Sequence, residues 1–80
     1  MMDKLITFID LCVRSAKTTS DRSTRQKYFE QAFGAVQYHG FVFPTDYDEV
    51  ESLWNDKYRP LFEELVYSLP TGYFKKAENL

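Results

Sequence analysis

His39 is the only histidine of the 80-residue chain and Cys12 the only cysteine, so nucleophilic or metal chemistry would have to be assembled from these two and from carboxylates. Asp46 and Asp48 lie close to His39 in sequence, but their position at the start of a helix accounts for them without catalysis. No HExxH, CxxC, GxGxxG or P-loop spacing occurs. His39 therefore reads as a last-turn histidine whose protonated ring suits the helix dipole. Cys12 reads as a small buried side chain. Glu63 and Glu64 are adjacent and point about 100° apart on a helix, while Asp48 and Glu51 fall on a solvent face, so neither pair forms an acid–base couple. No catalytic residue, metal or cofactor is expected, and the chain is read as non-enzymatic.

Two other chemistries remain. Between Arg14 and Lys27 there are five cations (Arg14, Lys17, Arg22, Arg25 and Lys27) against Asp21 alone, a cluster sufficient for phosphate contact. Between Asp46 and Glu64 there are seven acidic residues and two basic ones, so the helix after Gly40 is too acidic for a recognition helix. The net charge of −2 argues against wholesale coating of nucleic acid. Nucleic-acid binding through the basic cluster is thus the alternative reading. The leading one comes from the aromatic content: seven phenylalanines, six tyrosines and a tryptophan exceed what a bundle this small can bury. Phe8, Leu11, Tyr47, Tyr67 and Tyr73 fall off the main apolar stripes and are the expected anchors of a protein interface, with self-association its simplest form.

The elements that must position these residues are helical. Val50, Leu53, Trp54, Tyr58, Leu61, Phe62, Leu65, Val66 and Leu69 recur at three- and four-residue intervals, which predicts a helix over about 46–69 with one buried face. Asp46 and Glu49 have capping-box spacing at its start. Pro60 removes a backbone donor and presses on the Asp56 carbonyl, a cost of about 3 kcal/mol in a straight helix. The apolar stripe nonetheless keeps its register across it, favouring a kink over a break.

A first helix, about 3–17 and capped by Asp3, carries Leu5, Ile6, Ile9, Cys12, Val13 and Ala16 on one face, and Phe8 and Leu11 widen that arc beyond the need of one partner helix. A second, about 20–39, is capped by Ser20, Ser23 or Thr24 and buries Tyr28, Phe29, Ala32, Phe33, Ala35 and Val36. Gly34 within it suggests close approach by Trp54. Gly40 is expected to end it in the left-handed conformation, with Phe41–Phe43 as an extended connection inserting at least one ring.

The fold class is thus an all-α antiparallel three-helix bundle with a Pro-kinked third helix, one domain over 1–80 with a 70–80 tail. Ala77–Leu80 resembles the opening of a vector-derived protease-site linker, so the native chain is expected to end near Lys76. A lone cysteine and the lack of any long apolar run predict a protein of the reducing cytoplasm with no membrane contact. It is expected to be a small bacterial protein with a protein or a second copy as partner.

Overall fold

A computed structural model of the protein describes residues 2–68, so the expected tail and Tyr73 lie outside the described residues. Three helices and no strand make up the described chain. Helix α1 spans Asp3–Lys17 and α2 spans Arg22–Val42. After a 3-10 turn at Pro44–Asp46, the third helix runs unbroken over 47–67 as α3 (Tyr47–Leu53), a π-helical segment (Trp54–Tyr58) and α4 (Arg59–Tyr67).

The neighbours along α2 give the topology. Its C-terminal half faces the start of α1, with Phe8 and Val42 lining one cavity. His39 meets Asp46, Phe33 meets Trp54, Phe29 meets Phe62, and Arg25 meets Leu65. Numbers that rise on one side as they fall on the other mean that α1 and the third helix both run antiparallel to α2.

The core follows the apolar stripes. Leu5, Ile9, Cys12, Val13 and Ala16 from α1 meet Ala32 and Val36 from α2 and Val50, Trp54, Tyr58 and Phe62 from the third helix. Phe29 stacks on Phe62 with centroids 5.4 Å apart and on Trp54 at 5.9 Å. Burial pushes the Cys12 thiol up, consistent with a packed rather than a reactive side chain.

The π segment explains how Pro60 is accommodated. Val50, Trp54, Tyr58, Phe62 and Val66 are all buried at strict four-residue spacing, which drifts by about 40° per step on a regular α-helix. A π turn holds an extra residue and takes back part of that drift. The Arg59 N–H donates to the Trp54 carbonyl five residues back, and Pro60 stands in the first turn of α4, where its missing donor costs little. Stripe and proline are reconciled by the same irregularity.

Several local expectations are overturned. Asp3 is the first helical residue and Met2 the cap position, so its carboxylate serves the dipole rather than a cap. The cap of α2 is Asp21, whose Oδ2 accepts from the Thr24 N–H at 2.9 Å and the Thr24 hydroxyl at 2.6 Å, bonds that hold its carboxyl below the usual range. Asp46 makes no capping bond, because its carboxylate is bound to His39. Gly40 has no positive φ and lies inside α2, which continues through Phe41 and Val42 to Phe43. The ring of Tyr47 sits 3.1 Å from where a Gly40 Cβ would stand, so close approach is the reason for glycine there.

Gly34, by contrast, has open space around it and no contact with Trp54. Gly34→Ala is therefore expected to raise stability by about 1 kcal/mol, because alanine is the better helix former and nothing stands in its way. A urea midpoint unchanged or lowered would show that the glycine is needed for another reason.

Candidate interaction surface

Two polar ties set the positions of the surfaces around α2. At one end, His39 is buried, its Nε2 lies 2.9 Å from Asp46 Oδ2, and the Phe43 ring packs 4.8 Å from the imidazole. The last-turn histidine of the sequence reading is thus a buried pairing residue that fixes the turn into the third helix. Among the described residues no group of three histidine, cysteine or acidic side chains could hold a metal. At the other end, Arg25 donates from Nε to the Thr19 carbonyl at 2.7 Å and from Nη1 to the Leu65 carbonyl at 2.9 Å. A charged donor here satisfies a carbonyl of the α1–α2 connection and one in the last turn of α4.

A third tie links α1 to the π segment, where the Tyr58 hydroxyl donates to Asp10 Oδ1 at 2.8 Å. The phenol is pushed up to about 12, first by burial and then by the bond to the Asp10 carboxylate and its charge. Its neutral form is favoured in the folded state, so its contribution to stability is complete below pH 10 and is lost as the pH rises toward 12. Alkaline unfolding in that window is expected to be shallower for Tyr58→Phe than for the wild type; identical profiles would contradict the assignment.

These ties redistribute the basic cluster. Arg25 is engaged by two carbonyls, and the Arg22 guanidinium lies 4.9 Å from the centroid of the Tyr67 ring. Arg14, Lys17 and Lys27 are exposed, but the cluster is not five free cations on one face.

The apolar residues outside the core form two grooves, one on each side of α2. The first, between α2 and the third helix, is a cleft of about 540 Å³ walled by Phe29, Phe33, Tyr47 and Val50, with Glu30 and Glu51 on its rims. The Glu51 carboxylate beside it pushes the Tyr47 phenol up. The second, of similar volume, lies between the start of α1 and the end of α2 and is lined by Leu5, Phe8, Ala35, Tyr38 and Val42. Phe41, 83% exposed, stands beyond both.

Of the five contact residues expected from sequence, Phe8, Leu11, Tyr47 and Tyr67 are all exposed, but they do not form one patch. Phe8 belongs to the α1–α2 groove, with Leu11 one turn further along α1, while Tyr47 belongs to the opposite groove. Tyr67 lies at the far end beneath Arg22. Phe33, Tyr38 and Val42 were missed as surface residues, and Phe41, a contact candidate only if the connection left it exposed, is exposed. Phe33 belongs to the apolar periodicity of α2, and Phe41 and Val42 became exposed because the helix continued past Gly40.

No protein-family model, curated protein or solved structure matches the chain, so the functional reading rests on these surfaces alone.

Proposed function

We propose that the protein is a small, non-enzymatic protein-interaction module of the cytoplasm, which binds a protein partner, in its simplest form a second copy, through the apolar side chains left outside its core. One observation carries the reading. Among the described residues the core closes on twelve apolar residues, yet Phe8, Leu11, Phe33, Tyr38, Phe41, Val42, Tyr47 and Tyr67 remain exposed, and all but Tyr67 lie along α1, α2 or the grooves beside α2. Exposed aromatics gathered around concave clefts are the usual anchors of interfaces. The basic cluster supports nucleic-acid contact less well, because Arg25 is tied to backbone carbonyls and Arg22 lies against Tyr67.

Capture from lysate of the native host, with and without nuclease, tests this reading when wild type is compared with the Phe8→Asp/Leu11→Asp double variant. Both positions are exposed, so the variant is expected to keep its helical circular dichroism. A nuclease-resistant protein retained by wild type and lost by the variant is the expected result. Recovery of nucleic acid alone, undiminished in the variant, would overturn it in favour of the basic cluster.

A further inference from the structure

We infer that the groove between α2 and the third helix is the docking site for helix α1 of a second copy, so that the chain associates head to tail. The inference rests on the interaction reading above and names its partner. Charge complementarity selects this occupant. Phe8 and Leu11 lie one turn apart on α1, with Lys4 one turn before them and Arg14 one turn after, and no ion pair engages either cation among the described residues. The groove offers the converse: the apolar Phe33 between the carboxylates of Glu30 and Glu51, with the Tyr47 ring one turn beyond Glu51.

The lengths agree as well. Lys4 to Arg14 spans about 15 Å of helix, and the stretch of α2 that lines the groove, Gln26 to Gln37, spans about 16 Å. With the incoming α1 parallel to α2, Arg14 comes to Glu51 and Lys4 to the Gln26 end of the groove, one turn from Glu30. Asp3 is then carried toward Arg59, the cation at the Gln26 end of the groove. The reverse direction would bring Asp3 toward Glu51 and Arg14 toward Arg59.

Donor and acceptor lie on different faces of the bundle. Phe8 lines the groove on one side of α2 and Phe33 the groove on the other. A contact between two different faces is heterologous and leaves a free donor and a free acceptor at its ends, unlike a two-fold pairing of identical patches. It also depends on salt, since its charges stand at an exposed rim.

Sedimentation velocity at low ionic strength on two charge-reversed proteins tests the geometry. Lys4→Glu/Arg14→Glu makes the α1 row acidic, and Glu30→Lys/Glu51→Lys makes the groove basic. All four positions are exposed, and circular dichroism establishes that each variant is folded. Each alone is expected to associate at least tenfold more weakly than wild type, and an equimolar mixture to recover association, because the acidic row of one fits the basic groove of the other. The proposal is overturned if folded Glu30→Lys/Glu51→Lys associates like wild type, as a pairing of α1–α2 faces would require, or if the mixture stays monomeric. A wild-type protein monomeric up to millimolar concentration would also overturn it. In that case, loss of a lysate partner from Phe8→Asp/Leu11→Asp would leave the wider interaction reading standing with a different partner.

Discussion

Phe62→Ala is expected to leave most of the protein unfolded at 25 °C. Phe62 is fully buried and stacks on Phe29 with an interplanar angle of 7° while touching Trp54 at a centroid distance of 5.9 Å. Truncating a buried phenylalanine costs about 3–5 kcal/mol through lost transfer energy and the cavity left behind. The two aromatic contacts add about 0.5–1.5 kcal/mol each. A domain of this length has a total stability on the order of 4–12 kcal/mol, so the substitution removes much or all of it. Phe62→Leu, which keeps most of the volume, is expected to stay folded. Equilibrium urea unfolding checks both, and a loss below about 1 kcal/mol for the alanine variant would mean that the aromatic cluster is not the centre of the core.

Arg25→Met is expected to be the costliest change at a charged position. The guanidinium joins the α1–α2 connection to the end of the third helix through the Thr19 and Leu65 carbonyls, the second of which lies 40 residues along the chain from Arg25. Hydrogen bonds from charged donors contribute about 1.5–3 kcal/mol each, and methionine retains the packing of the stem while removing both. A loss of about 2–4 kcal/mol is expected, allowing for solvent that re-pairs part of the freed carbonyls. Arg25→Lys is not expected to restore it, because a point ammonium cannot reproduce two divergent bonds of a planar fork. Unfolding free energies of the two variants within about 0.5 kcal/mol of wild type in urea would show that the tie is a surface ornament.

What was legible in the sequence follows from what periodicity encodes. The span of α1, the direction of its buried face and the continuity of the stripe through Pro60 were all readable, because each depends on residues three and four apart along one chain. The partners of polar groups were not. Asp46 has the spacing of a cap, but a buried histidine seven residues earlier competes for its carboxylate and wins, and only the folded turn brings them within 2.9 Å. Gly40 looked like a helix end, yet its role is to admit the ring of Tyr47, a tertiary contact that local propensity does not carry. The π segment likewise has no sequence signature of its own beyond strict four-residue spacing ahead of a proline.

The candidate surface was legible in part. Exposure of Phe8 and Leu11 followed from the width of the α1 arc, and that of Tyr47 and Tyr67 from their offset from the stripe. Their division between opposite sides of α2 depends on helix packing. Phe33 illustrates the limit: its spacing belongs to the core face of α2, but it sits on the third-helix side of that face, close enough to meet Trp54 at 5.6 Å and still 43% exposed.

The central claim, that the apolar side chains outside the core bind protein and most simply a second copy, is tested most directly by the mass of the purified protein in solution as a function of concentration. Sedimentation velocity of wild type from micromolar to millimolar should show species heavier than the 9.5 kDa chain, growing with concentration and lost in Phe8→Asp/Leu11→Asp. A double variant that associates as strongly as wild type would contradict the account, and a wild-type protein that sediments as a 9.5 kDa monomer throughout would contradict self-association as the form of the contact.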